Sequence, residues 1–256
     1  MIAARHAVSD TLVLALRNLR RIPRAPDLLI SFTLQPIMFV LLFNYVFGGA
    51  IETPGQTYTD FLIPGIVAQT MSFGGFVTAI GLADDLKKGL IERFRSLPMS
   101  RGAVLAGRTL SDIPTNLLSL VVMVIVGYLI GFRFDSSPVE ILGGVGLMLL
   151  FGYAFSWIFA FFGLVASSGE SAQAIGFMIV FPITFVSSAF VPVETMPEGL
   201  QQFAEHNPFS VVVDALHTLW TGEPGGDIAA AVAWSAGLSL VFGWLSVRRY
   251  KRAVSG

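Results

Sequence analysis

The sequence has 256 residues, of which 54% are hydrophobic and only 13% are charged, and its mean hydropathy is +0.72. This balance excludes an ordinary soluble domain and is typical of a chain embedded in a bilayer. The net charge of −1 provides no overall positive field for nucleic acid. Because the chain has no cysteine, disulfides and thiolate metal sites are also excluded.

Fifteen of the 16 Lys and Arg residues fall into three short clusters that are separated by long apolar stretches. The clusters cover Arg5–Arg24, Lys87–Arg108 and Arg248–Arg252, whereas Arg133 stands apart. Loops rich in Lys and Arg remain in the cytoplasm. The clusters therefore predict a multi-pass protein of the cytoplasmic membrane with both termini on the inner side.

Six apolar stretches are each long enough to cross about 30 Å of hydrocarbon as a helix of roughly 20 residues. They are Leu28–Gly49, Phe61–Ala83, Ile113–Phe132, Ile141–Val165, Ala172–Val191 and Ile228–Val247. Their continuous apolar character favours helices, which satisfy their own backbone hydrogen bonds in lipid. The predicted fold is a single all-α integral membrane domain over residues 1–256, with six transmembrane helices.

The segment 9–24 is predicted to form an amphipathic helix in the cytoplasmic interface. Three leucines share one helical face and four arginines form the opposite stripe: Leu12, Leu16 and Leu19 against Arg17, Arg20, Arg21 and Arg24. This arrangement is typical of an interfacial helix, and the alternative is a solvated basic tail. The start has no apolar region followed by a small-residue cleavage site, so we expect no signal peptide.

The segment 84–98, between spans two and three, is predicted to be a short cytoplasmic helix with an apolar ridge and a charged rim. The ridge consists of Leu86, Leu90, Phe94 and Leu97, and the rim includes Lys87, Glu92, Arg93 and Arg95. Asp84 and Asp85 suit the positive N-terminal end of such a helix, and Pro98 is expected to end it. The alternative is a loop whose charges only set the topology.

Asp112 lies near the inner end of span three, four residues after Arg108. This spacing favours a local helical ion pair over a proton carrier. Ionisable residues are otherwise absent from the middle of the predicted spans, which argues against a proton relay or an ion-coupled site.

The segment 192–227, between spans five and six, is too long for a turn and too apolar for a free loop. Several of its large apolar residues suggest one or two short helices that dip into the outer leaflet: Phe203, Phe209, Val212, Leu216 and Trp220. Such helices are tolerated only where protein covers them. The alternative is an interfacial loop that rests on the membrane surface.

The sequence lacks the residues of an energy source or a catalytic site. Its only lysines are Lys87, Lys88 and Lys251, and none follows a glycine as a phosphate-binding loop requires. Neither H-E-x-x-H nor G-x-S-x-G occurs. We therefore predict a non-enzymatic membrane protein that needs a partner to perform work.

Three stretches of the chain resemble the ABC-2 type transporter permeases, in particular the daunorubicin/doxorubicin-resistance branch. They are LRNLRRIPR with QPIMFVLLFNYVFGG, the loop GLIERFRSLPMSR, and the stretch FPITFVSSAFVPVETMPEGLQQFAEHNPFSVVVDALH with its F-x-P, M-P and N-P motifs. The resemblance covers essentially the whole chain. The S-L-P-M-S-R loop and V-P-V-E-T-M-P stretch are closer to the drug and lipid branch than to the exporters of lipid-linked polysaccharide.

The resemblance implies that segment 84–98 is a coupling helix that fits a cleft on a separate ATPase subunit. The implied coupling residues are Leu90, Glu92, Arg93, Phe94, Arg95 and Leu97. It also implies re-entrant outside helices over 192–227 and a complex of two permeases, identical or related, with two ATPases. ATP and Mg²⁺ would bind to the ATPase partner, and this chain would hold no cofactor.

An apolar, drug-like cargo requires an apolar, aromatic lining that adapts to its shape. The predicted pathway residues are Phe39, Phe43, Tyr45, Phe73, Phe76, Phe181 and Phe185. The alternative for each is lipid contact or core packing. Pro182 is expected to bend span five near its middle.

The favoured function is the permease subunit of an ATP-driven exporter of amphipathic drug-like or lipid molecules. Three alternatives are an exporter of lipid-linked polysaccharide, an intramembrane enzyme that acts on lipid, and a membrane assembly or regulatory subunit.

Overall fold

The described residues of the computed structural model, 26–49, 51, 53, 55–87 and 101–255, contain helices, turns and loops but no strand. The helices are α1 (Pro26–Leu42), α2 (Tyr58–Phe73), α3 (Phe76–Lys87), α4 (Arg101–Ile130), α5 (Pro138–Val165), α6 (Gly169–Phe185), α7 (Glu198–His206), α8 (Pro208–Thr221) and α9 (Ile228–Ser255). A π turn, Phe43–Phe47, extends α1, and a 3₁₀ turn, Val193–Thr195, precedes α7. The all-helical prediction is confirmed for this part of the chain.

Four helical stretches among the described residues are long and apolar enough to cross a membrane: Tyr58–Lys87, Leu105–Ile130, Pro138–Val165 and Ile228–Arg252. Two shorter apolar stretches, Leu34–Phe47 and Gly169–Phe185, lie where spans one and five were predicted. The count of six spans therefore stays a prediction. The predicted interface helix, 9–24, lies outside the described residues.

The apolar helix α5 lies at the centre of the bundle and packs against α2, α3, α4, α6, α8 and α9. Its start is fixed by a capping box: the Ser137 hydroxyl accepts from the Glu140 amide, and the Glu140 carboxylate accepts from the Ser137 amide. Pro138 at the first helical position has no N–H to leave unpaired. These local signals begin α5 three residues before the predicted start at Ile141.

The second predicted span is not one continuous helix, because α2 ends at Phe73 and α3 begins at Phe76. Gly74 and Gly75 lie between the two helices, and glycine has a low helix propensity. A Cβ on Gly75 would come within 2.8 Å of the Phe159 ring, so the close approach of α5 also requires glycine. The regular helical pattern of span two is therefore interrupted for two residues near its middle, although the backbone of Gly74 keeps helical angles.

Three boundaries differ from the sequence-based expectations. The predicted helix start at Asp84 lies inside α3, and α4, the helix that contains span three, begins at Arg101, well before Ile113. The helix α6 ends at Phe185, before the predicted end of span five at Val191. Pro182 lies in the last turn of α6, and a bend at this proline stays a prediction.

Within the segment 192–227, α8 is a buried helix of the bundle. Seven of its residues have exposed fractions of 1% or less: Phe209, Ser210, Val212, Val213, Ala215, Leu216 and Trp220. The Trp220 indole N–H donates to the Ile141 carbonyl of α5 at 3.3 Å. The expectation of one or two short helices in this segment agrees with α7 and α8.

Candidate functional site

A continuous series of phenylalanine rings connects helices α1, α6, α2, α3 and α5. Successive ring centroids lie 4.2–6.0 Å apart, within the range of favourable aromatic contacts. We call this series the aromatic ladder, and in order it contains Phe39, Phe43, Phe190, Phe185, Phe181, Phe177, Phe73, Phe76 and Phe159. Six of the seven pathway residues predicted from sequence lie in it.

The seventh predicted residue, Tyr45, lies outside the aromatic ladder. Its side chain is 72% exposed and projects from the π turn that follows α1. The ladder is only partly covered, since the Phe177 ring is 38% exposed and the Phe181 and Phe185 rings are half-buried. The ladder therefore presents a partly open aromatic face, whereas Tyr45 is a separate surface residue of this chain.

Three members of the ladder were missed by the sequence-based prediction: Phe159, Phe177 and Phe190. Phe177 could have been found, because it precedes Phe181 and Phe185 at intervals of four residues on one face of α6. Phe190 could not, because it lies beyond the end of α6 in an irregular stretch. Its ring nevertheless joins Phe43 and Phe185, each at 4.8 Å.

The part of the ladder between Phe185 and Phe190 is held by hydrogen bonds from two other elements. The Asn207 amide donates to the carbonyl oxygens of Ile183 and Val186, both at 2.8 Å. The hydroxyl of Tyr58, at the start of α2, donates to the Phe190 carbonyl at 3.2 Å. These bonds satisfy backbone carbonyls that are released where α6 ends, and they fix the stretch between Phe185 and Phe190.

The predicted local ion pair between Arg108 and Asp112 is wrong. The Arg108 guanidinium instead donates to Asp85 on α3 at 2.6 Å. Asp112 is 7% exposed and accepts a 2.7 Å hydrogen bond from the Thr78 hydroxyl. The pairing differs because α3 lies alongside α4, so Arg108 reaches a carboxylate from another helix.

Burial shifts the pKa values of two side chains on α8. Burial lowers the pKa of His217 to about 4, and its ring lies 5.2 Å from the Phe61 ring, so the imidazole is neutral at pH 7. Burial raises the pKa of Asp214, while a hydrogen bond from Ser188 opposes that increase. Both shifts reflect how closely α8 is enclosed by its neighbours.

The six predicted coupling residues, Leu90, Glu92, Arg93, Phe94, Arg95 and Leu97, lie outside the described residues. The structure describes the two helices next to them in sequence, α3 and α4. Among the described residues, no group of three or more His, Asp or Glu side chains could hold a metal ion.

The chain is similar to a known family of membrane proteins. The model of the ABC-2 type transporter family matches residues 9–219. The daunorubicin resistance ABC transporter permease protein DrrB1 of Streptomyces coeruleorubidus is 36% identical over 246 residues, which cover 96% of this chain and 87% of that protein.

Two proteins of Mycobacterium tuberculosis are more distant relatives. The "Probable doxorubicin resistance ABC transporter permease protein DrrC" is 26% identical over 253 residues, which cover 98% of this chain and 91% of that protein. The doxorubicin resistance ABC transporter permease protein DrrB is 25% identical, over 77% of this chain and 68% of that protein.

Proposed function

Because the chain belongs to the ABC-2 type transporter family and is a multi-pass membrane protein, we propose that it is the permease subunit of an ATP-driven exporter. The complex moves amphipathic drug-like or lipid molecules out across the cytoplasmic membrane. A separate ATPase subunit binds ATP and Mg²⁺ and supplies the energy. The names of the relatives, which refer to daunorubicin and doxorubicin resistance, support this cargo class.

The observation that carries the proposal is the aromatic ladder. A polycyclic or acyl cargo gains little from fixed polar groups but much from stacking and dispersion against rings. The half-buried rings of Phe181 and Phe185 provide such a surface without closing it completely. The partly open face lines the pathway, and a second permease, either a copy of this chain or a sister chain, completes it from the opposite side.

The ATPase contact is assigned to the segment 84–98, with Phe94 and Leu97 inserted into a cleft and Glu92, Arg93 and Arg95 at its rim. The helix α3 leads into the segment that includes these residues, and α4 follows it in the chain. Movement of that segment therefore reaches the bundle through two helices. The complex contains two ATPase copies and two permeases.

The topology follows from six spans, with both termini in the cytoplasm and α7 and α8 as a re-entrant cap on the outer side. The shorter helix α6 supports this arrangement, since it ends at Phe185 where the chain turns into the outer segment. The buried environment of α8 also supports it, because non-spanning helices at membrane depth require protein around them.

The proposal is tested by reconstituting the chain with its ATPase in lipid nanodiscs and measuring ATP hydrolysis with increasing daunorubicin. We expect saturable stimulation that disappears when the ATPase carries an inactivating substitution in its phosphate loop. Transport is then measured in proteoliposomes by daunorubicin fluorescence. Stimulation by a lipid-linked polysaccharide but not by daunorubicin would favour the polysaccharide alternative. A stable ATPase complex that transports neither would favour an assembly subunit.

A further inference from the structure

A line of polar residues joins α4 to the cytoplasmic half of span two. Arg108, Asp112 and Asn116 follow each other at intervals of four residues and therefore share one face of α4. Opposite them lie Asp85 and Thr78 of α3 and Gly74 at the helix break. We call these three contacts the polar seam, and their order shows that the two helices run antiparallel.

Each contact of the seam has a definite geometry. The Arg108 guanidinium donates to the Asp85 carboxylate at 2.6 Å, and the Thr78 hydroxyl donates to the Asp112 carboxylate at 2.7 Å. At the third contact, the Asn116 side-chain oxygen occupies the space where a Cβ of Gly74 would lie. The seam thus extends from the cytoplasmic end of α3 to the break in span two.

The Asn116 amide is an unusual group at this position. It is only 2% exposed, and its Nδ2 has no hydrogen-bond partner among the described residues. A Cβ on Gly152 of α5 would come within 2.7 Å of that nitrogen, so Asn116 is held between two glycines. A buried donor without a partner costs free energy. A second arrangement of the adjacent break, in which a backbone carbonyl turns towards Asn116, would remove this cost.

Both helices of the seam are weakened at the same level of the bundle. Span two is interrupted at Gly74 and Gly75, and α4 contains Pro114, two residues before Asn116. Proline cannot donate the hydrogen bond to the carbonyl of Leu110, four residues earlier, and it loosens the helix there. The part on the cytoplasmic side of both weak points consists of α3 and residues 101–113. We call this part the cytoplasmic arm.

The break in span two also lies within the aromatic ladder. Phe73, at the end of α2, and Phe76, at the start of α3, stack on each other at 5.4 Å. Both rings contact Phe177, at 5.4 and 5.3 Å. A rotation of α3 about the break moves Phe76 relative to Phe73 and Phe177, and therefore changes the shape of the aromatic face.

The contact between α3 and α5 is compatible with such a movement. Gly163 of α5 meets the backbone of Ala79 so closely that no Cβ would fit between them. At this one point the two helices meet without interlocking side chains, which allows a small sliding movement there.

We propose that the polar seam makes the cytoplasmic arm a single moving body, hinged at Gly74–Gly75 and at Pro114, with Thr78 and Asp112 as the positioning residues that transmit its movement to Phe76. This inference rests on the proposed function, because the movement is driven by the ATPase that contacts the segment between α3 and α4. It adds the route by which hydrolysis reaches the aromatic ladder.

Thr78→Val tests the route, because valine matches the shape of threonine but cannot donate to Asp112. We expect the variant to bind the ATPase and hydrolyse ATP as the wild type does, but to move about fivefold less daunorubicin per ATP. Thr78→Ser restores the donor and should restore coupling. The matched control is Thr70→Val in α2, where the lost hydroxyl bonds only to Ile66 of its own helix. If Thr78→Val does not assemble, Asp85→Asn at the partly exposed end of the seam provides the same test.

Spin-label distances test the arm independently of transport. Because the chain has no native cysteine, nitroxide pairs can be placed at Lys87 with Leu110, within the arm, and at Lys87 with Leu142, across the hinge. Labelled permease is diluted with unlabelled permease in the complex with its ATPase, and distances are compared with and without a non-hydrolysable ATP analogue. We expect the first distance to stay constant and the second to change.

The possible outcomes separate this inference from the proposed function. The proposal that the arm moves as one body is overturned by either of two results. One is wild-type transport per ATP in Thr78→Val, and the other is a nucleotide-dependent change in the Lys87–Leu110 distance. If the wild-type complex moves no daunorubicin, the proposed cargo fails, and the two spin-label distances alone decide whether the arm exists.

Discussion

The side-chain amide of Asn207 donates a 2.8 Å hydrogen bond to the backbone carbonyl of Ile183 in the last turn of α6. The second amide hydrogen is donated to the Val186 carbonyl, and the Asn207 oxygen accepts from the Phe209 amide at the start of α8. One buried side chain therefore closes the end of α6 and begins α8. It connects the aromatic ladder to α8.

We predict that Asn207→Ala lowers the free energy of unfolding by about 3 kcal/mol, since two buried carbonyls lose their donors. Asn207→Asp keeps the cap on α8 but loses both donors, so it should be at least as destabilising. Thermal unfolding of the purified permease measures both effects. Gln202→Ala, at an exposed position on α7, is the control and should leave the melting temperature unchanged. A stable Asn207→Asp variant would show that the α8 cap alone matters.

The aromatic ladder makes a prediction about cargo recognition. Phe185→Ala and Phe177→Ala remove rings from the partly open face, so daunorubicin should stimulate ATP hydrolysis at about tenfold higher concentrations. Basal hydrolysis should change less. Tyr45→Ala, outside the ladder, is the matched aromatic control and should retain the wild-type stimulation curve. Equal losses of basal and stimulated hydrolysis in Phe185→Ala would indicate a folding defect instead.

The coupling segment makes a prediction from its sequence. Phe94→Ala should weaken ATPase association by about 2 kcal/mol, because a buried aromatic anchor contributes more than a charge at the rim of an interface. Arg95→Ala should therefore have a smaller effect, and Glu92→Lys should uncouple hydrolysis from export. Co-purification with the ATPase measures association, and membrane insertion of all three variants serves as the control. Wild-type complex yield and transport in Phe94→Ala would leave this segment with only a topological role.

We predict that the buried His217 makes the protein less stable in acid. Its folded pKa of about 4 lies below the ordinary value of 6.5, so between these values the unfolded chain binds more protons. Stability contributed by the neutral ring is present above pH 6.5 and is lost as the pH falls towards 4. The free energy of unfolding falls by about 2 kcal/mol between pH 8 and pH 5 for this reason.

His217→Leu should reduce this pH dependence, because leucine retains an apolar side chain of similar size and does not titrate. The control is His206→Leu on α7, where the imidazole is exposed. Melting temperatures at pH 8, 6.5 and 5 check both variants. If His217→Leu and the wild type lose stability in parallel, another group is responsible.

The charge clusters predict the topology. Cysteines introduced at Ser9 and Ser255 should react with membrane-impermeant maleimides only after the cells are permeabilised, because the proposed topology places both termini in the cytoplasm. Because the chain has no native cysteine, the protein without introduced cysteines measures the background labelling. Labelling of both positions in intact cells would reverse the orientation.

The sequence by itself determined the protein class and the helical character. These properties depend on hydropathy and on the grouping of Lys and Arg, which are local features of the chain. Phe181 and Phe185 were also named from the sequence, as aromatic candidates for the cargo pathway. The interruption of span two at Gly74 and Gly75 was missed, because glycine is also common in continuous transmembrane helices.

The tertiary structure decided which distant residues meet. Arg108 pairs with Asp85, 23 positions away, because α3 lies against α4, and the spacing to Asp112 gives no sign of this. Phe190 enters the aromatic ladder only because Asn207 and Tyr58 fix the stretch beyond α6. The burial of α8 likewise depends on packing against four other helices, α2, α5, α7 and α9. Such contacts depend on packing between separate elements, which periodicity within one element does not encode.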